Sequence, residues 1–274
     1  MKEFIVEGHE KSLLPEGEWR LVWNDEFDGT ELDRSKWDYR LSMMGQRFPG
    51  WTDKGVHLDG KSHAVFSLQL ENGLPVSSQL QTGYNFMDEP VKPTNFLGND
   101  QQWNIGKLKR SLYTHTFGYY ECYCKLQKAP EAWWSAFWIQ SPVIGSSLHP
   151  EETGAEIDVM EYFKCGSVAP HNVFSGGYGL DSKRSKIGGM DIDPKAFHRF
   201  GVRWEPTGYT FYVDGIENGR ITEDVSQRPE FILISTEVKG YRYDDHQPVA
   251  AAYEMIGKDT FVVDYVRVFD PVKD

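Results

Sequence analysis

The chain is poor in cysteine, in long apolar runs and in positive charge. Its three cysteines, Cys122, Cys124 and Cys165, are an odd number in 274 residues and show no zinc-ligand spacing. Cys122 and Cys124 share one face of a strand and lie too close along it for relaxed disulfide geometry, so they are expected to be small buried hydrophobes. No stretch approaches the ~20 apolar residues of a membrane span. The opening "MKEFIVEGHEKSLLPEGE" has neither the sustained apolar region nor the small-residue cleavage site of a secretory leader. On this reading the chain is cytoplasmic, or a leader was removed. Lys and Arg number 29 against 41 Asp and Glu, a net charge of −12. That excess argues against nucleic acid and against an anionic membrane as partners, since both call for a basic surface. It also weighs against a highly sulfated ligand, unless a local Arg/Lys patch overrules the sum. Internal repeats, low-complexity segments and linker-like shifts in composition are absent too, so one large domain accounts for the length.

Aromatics, by contrast, are abundant, at 14% of the residues with nine Trp and fourteen Tyr. They suit β-strands, and they suit flat apolar ligands such as sugar rings. Short β-type runs recur between Gly, Asn, Asp and Pro: "HAVFSLQL", "GYYECYCKLQ", "WWSAFWIQ", "YTFYVDG", "EFILIST" and "TFVVDYVRVF". The spacing predicts an all-β sandwich, with helix confined to short turns. Residues 1–17 read as an N-terminal arm of weak structural commitment, and residues 18–274 as a single domain.

The segment "GAEIDVMEYF", residues 154–163, gathers Glu156, Asp158 and Glu161. In an ideal strand residues two apart share a face, so Glu156 and Asp158 point together while Glu161 has the wrong parity. One extra residue at Val159–Met160, a β-bulge, would turn Glu161 onto their face. Three acids on one face repel one another, and each raises its neighbours' proton affinity. Cleavage of a glycosidic bond with retention uses such a set: a carboxylate nucleophile and a carboxylic acid about 5–5.5 Å apart. Four strand rises separate the two Glu backbones by roughly 13 Å, which long side chains can narrow. A solvated acidic face or a calcium site are the alternatives. Calcium sites draw mainly on loops, whereas Ile, Val, Met, Tyr and Phe bound this segment.

Neighbouring segments add context. "WRLVWNDEFDGTELDRSKW", "FGYYECYCKLQKAPEAWWSAFWIQ", "AFHRFGVRWEPTGYTFYVDG" and "VVDYVRVF" follow in the order of the framework runs of glycoside hydrolase family 16, and Glu-x-Asp-x-x-Glu resembles the signature of its bulged branch of laminarinases, agarases and carrageenases. The resemblance covers about residues 19–270. It implies a jelly-roll β-sandwich of two curved antiparallel sheets (concanavalin A-like), one catalytic domain over 18–274, and an endo-acting retaining hydrolase. By resemblance Glu156 is the nucleophile, Asp158 its assistant and Glu161 the general acid/base. Trp19, Trp23, Trp37 and Trp204 match framework positions and are expected to pack, Glu121 matches a framework Glu, and His198 matches a structural His. Tyr123 stands where many members carry Arg, and Phe174 where many carry a His near the nucleophile, with His171 three residues early. Both departures point to an unusual sugar pocket.

Substrate contacts are expected from Trp134 and Trp138, which share a strand face with Ala136 while Phe137 and Ile139 take the core face. Core packing of the two Trp is the alternative, and Trp133 stands between the two roles. Trp51 and Trp103 lie in loop-like surroundings and are further subsite candidates, as is Glu237 with Lys239 and Arg242. Some family members hold a structural calcium, and Glu26 and Asp264 occupy similar places; ordinary surface acids are the other reading. Catalysis of this type needs no metal or other cofactor. The expected partner is a polysaccharide or oligosaccharide bound by a monomer, outside the cell or on its surface if the family habit holds. A neutral β-1,3- or mixed β-1,3/1,4-glucan is favoured. A β-galactan as substrate, a transglycosylase and a non-catalytic carbohydrate-binding relative are the alternatives.

Overall fold

The computed structural model describes residues 1–88, 108–164, 171–243 and 245–272. Two antiparallel sheets stack into a jelly-roll sandwich. The first has seven strands, in the order Lys183–Ile187, His171–Ser175, Ala155–Tyr162, Trp133–Gln140, Phe231–Val238, Gln79–Gln81 and Asp38–Tyr39. The second runs Ile216–Ile221, Gly208–Val213, Phe197–Glu205, Gly118–Lys125, Thr260–Pro271, Ala64–Ser67 and Val56–Leu58, and Trp19–Asp25 also pairs with Thr260–Pro271. We call them the cleft sheet and the back sheet. Helix is limited, among the described residues, to Pro150–Thr153 and Ala250–Met255, and no helix is long and apolar enough to cross a membrane.

Alternation along the strands builds the core. Phe137, Ile139, Ile157, Ile232 and Ile234 face inward from the cleft sheet, and Tyr120, Cys122, Cys124, Val202 and Trp204 meet them from the back sheet, all fully buried. Each large side chain buried in this way stabilises the fold by about 1.5–3 kcal/mol. Cys122 and Cys124 are free thiols in that layer; Cys165 lies outside the described residues. Trp133 resolves as core: it is fully buried, and its indole N–H donates to Asp259 at 3.1 Å. Trp37 and Trp204 are fully buried as well, while Trp23 stacks on Tyr113 at 4.9 Å.

The first residues are more ordered than their sequence suggests. Lys2–Phe4 pairs with Ser12–Leu14 in a hairpin laid on the outer face of the back sheet. Phe4 meets Phe269 edge to face, with ring centroids 5.1 Å apart, and Leu14 is buried. Two buried charges hold it. Arg267 donates to Glu10 O at 2.8 Å and Ser12 Oγ at 2.9 Å, while Glu121 accepts from Leu13 N at 3.2 Å and Tyr265 Oη at 2.8 Å. Short hairpins lack local signal because their stability comes from what they cover.

Candidate active site

The acid strand, Ala155–Tyr162, enters the cleft sheet at Gly154, whose φ of +76° suits glycine; an added Cβ there would lie 2.4 Å from Ser141 Cβ. Against Trp133–Gln140 the register runs Gln140 to Glu156, Ile139 to Ile157 and Trp138 to Asp158, then shifts to Phe137 with Met160 and Ala136 with Glu161. Val159 is the unpaired residue of the expected bulge. Val159 and Met160 both join the core, and Glu156, Asp158 and Glu161 all line one cleft with Trp134, Ala136, Trp138 and Gln140. The carbonyl that the bulge frees at Val159 lies 2.7 Å from His171 Nδ1. His171 is buried and stacked on Phe211 at 4.5 Å, and burial pulls its pKa down to about 4, so the ring is neutral and Nδ1 carries the donated hydrogen.

The three carboxyls meet different surroundings. Glu156 Oε2 accepts from the Tyr178 hydroxyl and, at 3.2 Å, from Gln140 Nε2, and Arg40 and Arg242 add positive potential; burial still holds its pKa above the ordinary value. Glu161 is pushed up to about 7 by burial and by Glu156, against the pull of Arg184 and of an Asn172 hydrogen bond at 2.7 Å. Asp158 is raised well above a normal Asp, first by burial and then by Glu161 and Glu156. Its carboxyl is thereby biased toward the protonated form. One face thus holds three carboxyls in contrasting surroundings: Glu156 among hydrogen-bond donors, Asp158 most biased toward its protonated form, and Glu161 raised to about 7.

The cleft measures about 480 Å³, within the range of about 300–1,000 Å³ usual for small-ligand sites. Trp134 stands half-buried in its wall, with Arg242 5.5 Å over the ring. Trp138 also lines it, but is only 8% exposed: its N–H donates to Ser235 Oγ at 2.9 Å, and Arg40 lies 5.3 Å over the ring. Glu237 grips Arg242 through two bonds of 2.6 and 2.7 Å. Lys239 does not reach the lining; its Nζ donates to Phe163 O at 2.6 Å. Met43, Met44, Met87 and Arg40 complete the lining.

Several expectations need correction. Trp51 is not a subsite: it is 1% exposed, packed on Phe48 and roofed by Arg40, because the loop carrying it folds under the sheet edge through a bridge to Ser77. Trp103 lies outside the described residues. Tyr123 has no place in the sugar pocket, since its strand belongs to the back sheet and its ring packs against Phe197 and Tyr265 under Arg199. Phe174 does line the cleft. The outer-face acids do not fit calcium, which takes six to eight oxygen ligands. Both oxygens of Glu26 are engaged by Arg267, at 2.9 and 2.7 Å, and Asp264 faces His63 at 3.6 Å. Among the described residues no group of three or more His, Cys, Asp or Glu is gathered as a metal site. His198 bridges Asp214 at 2.6 Å and Asp193 O at 2.9 Å, a structural arrangement.

Arg40, Asn172, Tyr178 and Arg184 were not read from the sequence. Gln140 had a signal, since it continues the parity of Trp134, Ala136 and Trp138; the other four depend on register between distant strands.

The family model of the glycosyl hydrolases family 16 matches residues 51–241. The chain is 24% identical over 274 residues to glucan endo-1,3-beta-glucosidase A1 of Niallia circulans, covering 91% of this chain and 37% of that protein. It is 26% identical over 232 residues to beta-porphyranase B of Zobellia galactanivorans, covering 76% of this chain and 70% of the other. It therefore spans well under two thirds of some curated relatives, down to 19% of one. The laminarinase structure from Rhodothermus marinus superposes with a TM-score of 0.65 at 21% identity, over 94% of this chain and all of that one. With the fold, the bulged acid strand and a family match over most of its length, this chain belongs to the glycosyl hydrolases family 16.

Proposed function

We propose that this chain cleaves a β-linked polysaccharide internally, with retention, through a glycosyl-enzyme intermediate. The observation that carries this reading is the bulge at Val159, which puts Glu161 on the face of Glu156 and Asp158 and leaves the three acids in contrasting environments. Glu156, held by the Tyr178 hydroxyl and Gln140, acts as the nucleophile on the anomeric carbon. Glu161, protonated up to about pH 7, gives its proton to the glycosidic oxygen and later takes one from the incoming water. Asp158 keeps a proton and steadies the nucleophile by hydrogen bonding. Trp134 offers the sugar an apolar platform, and Glu237 with Arg242 offers it polar contacts. These groups perform the chemistry without a metal or organic cofactor.

As substrate we favour a neutral β-1,3-glucan, alone or with β-1,4 linkages; similarity to a glucan endo-1,3-beta-glucosidase and the net charge of −12 support it. A β-galactan is the second reading, favoured by the porphyranase similarity and by Arg40, Arg184 and Arg242 in the cleft. Polymers of this size are met outside the cell or at its surface, by a monomer with no need for nucleic acid or membrane. Purified protein tested on laminarin, mixed-linkage glucan, agarose, carrageenan and porphyran, with products sized, decides between them. Internal cleavage of laminarin or mixed-linkage glucan is expected. Cleavage of galactans alone removes the glucan assignment, and loss of all cleavage in Glu156→Gln separates hydrolysis from mere binding.

A further inference from the structure

Resting on that hydrolytic reading, we propose that Arg184, acting through the side-chain amide of Asn172, determines which oxygen of Glu161 carries the transferable proton: Oε2 is kept as an acceptor, and Oε1 holds the hydrogen. Neither Arg184 nor Asn172 belongs to the carboxylate motif. Both come from the two strands beyond it at the sheet edge, where Asn172 is the register partner of Asp158 and Arg184 that of Phe174.

Donor and acceptor chemistry gives the direction. A guanidinium can only donate. Arg184 Nε and Nη2 lie 3.0 and 2.6 Å from Asn172 Oδ1, so the carbonyl end of the amide must face the arginine. Its NH2 end is thereby turned to Glu161 Oε2, at 2.7 Å. An Asn left to itself can flip its amide and present either end; this one is locked by two charge-assisted bonds to one oxygen. Phe174 pins the guanidinium from the side, with the Arg184 carbon 5.0 Å from its ring centre.

Glu161 then has two unlike oxygens. Within a carboxylic acid the carbonyl oxygen is the better acceptor, so the oxygen facing the Asn172 N–H stays unprotonated and the hydrogen sits on Oε1. Among the described residues no hydrogen bond to Oε1 is present, and Glu161 lines the cleft. In the glycosylation step the Oε1–H bond breaks and its proton goes to the glycosidic oxygen. The bond from the anomeric carbon to that oxygen breaks with both electrons moving to oxygen, while a Glu156 oxygen forms the new bond to carbon. Arg184 and Asn172 are positioning residues in this step, since Asn172 meets only Oε2 and Arg184 acts on Glu161 through Asn172.

The other titratable or charged groups acting on Glu161 are Glu156 and Asp158 on its own strand and Arg242 in the cleft lining. Arg184 opposes Glu156 from the sheet edge, so its loss has two separable effects. The missing cation raises the midpoint of Glu161, and the freed amide no longer presents only its N–H.

The test uses Arg184→Gln, Arg184→Lys and Asn172→Leu in the full chain. The Glu161 carboxyl is titrated by carbon-13 NMR, with its signal assigned from Glu161→Gln, and folding is checked by circular dichroism. Turnover is measured on whichever polymer of the panel the wild type cleaves, and on the dinitrophenyl glycoside of its repeat unit, whose leaving group needs no proton. Arg184→Gln and Asn172→Leu are expected to move the Glu161 midpoint and the alkaline limb of kcat upward. Polymer turnover should fall at least about tenfold, part of the 10²–10⁴ that a general acid supplies, and aryl glycoside turnover should fall much less. Arg184→Lys keeps the charge without the fork, so it should restore the midpoint but not polymer turnover. An unmoved midpoint in Arg184→Gln, equal losses on both substrates, or wild-type turnover in Arg184→Lys overturns the proposal. Should the wild type cleave none of the polymers, the hydrolytic reading fails, while the midpoint in the NMR titration still decides whether Arg184 acts on Glu161.

Discussion

His171 caps the bulge that aims Glu161: its Nδ1 lies 2.7 Å from the carbonyl of Val159, the residue without a partner on the neighbouring strand. A bulge inside a sandwich strands a backbone carbonyl away from water, and such a group is costly unless a donor reaches it. The neutral imidazole supplies that donor while stacking on Phe211.

His171→Ala should therefore destabilise the fold by about 1–3 kcal/mol, the cost of leaving one buried polar group unsatisfied. Urea unfolding measures it. Turnover should fall further than the folded fraction does, because the strand carrying Glu161 loses its brace. Turnover that tracks the folded fraction alone would limit His171 to stability.

The same residue makes stability depend on pH. Its pKa is lowered in the folded state from 6.5 to about 4, so the unfolded chain binds the proton first. Its contribution is full above about pH 6.5 and is lost as pH falls from there toward 4. Chemical denaturation across that window should show wild-type stability declining, with a shallower slope in His171→Gln.

For the acids, Glu156→Gln and Glu161→Gln should each abolish polymer cleavage with the circular dichroism spectrum unchanged, and Asp158→Asn should slow it heavily. Glu161 must be protonated for the first step, so kcat/KM should fall as pH rises past about 7. The limb belongs to the coupled set of acids rather than to one residue. An NMR time course should show β-configured product first; the α-anomer appearing first would refute retention.

Trp134→Ala should raise KM about three- to tenfold, from the 0.5–1.5 kcal/mol typical of an aromatic contact, with kcat less affected. Trp51→Ala is expected to act through stability instead, costing about 3–5 kcal/mol as a buried Trp replaced by a cavity. Steady-state kinetics beside a melting curve separates the two.

On the outer face, Arg267→Met should cost about 3–5 kcal/mol, because Arg267 is 0% exposed and its loss removes from buried Glu26 the guanidinium that engages both its oxygens. Thermal melts with excess calcium and with a chelator should coincide. A bound ion at a hundred times its Kd would add about 2.7 kcal/mol, so a clear shift in Tm would restore calcium at Glu26 and Asp264.

Whatever repeats along one strand is legible in the amino-acid order alone. The two-residue alternation separates Phe137 and Ile139 from Trp134, Ala136 and Trp138, and the three-residue gap after Asp158 announces the bulge, because side-chain direction within a strand is local. The all-β class follows from the same local signals. Tertiary structure decided which side chains from other strands face the acids. Asn172 meets Glu161, Arg184 meets Asn172, Tyr178 meets Glu156 and Arg40 roofs Trp138 only through the register and order of strands far apart in the chain, and no residue type there announces its partner. It also decided that Trp51 is buried and that the first hairpin is ordered. Burial depends on what another segment covers, and for Trp51 the cover is Arg40, while for the hairpin it is the back sheet with Arg267 and Glu121 beneath it.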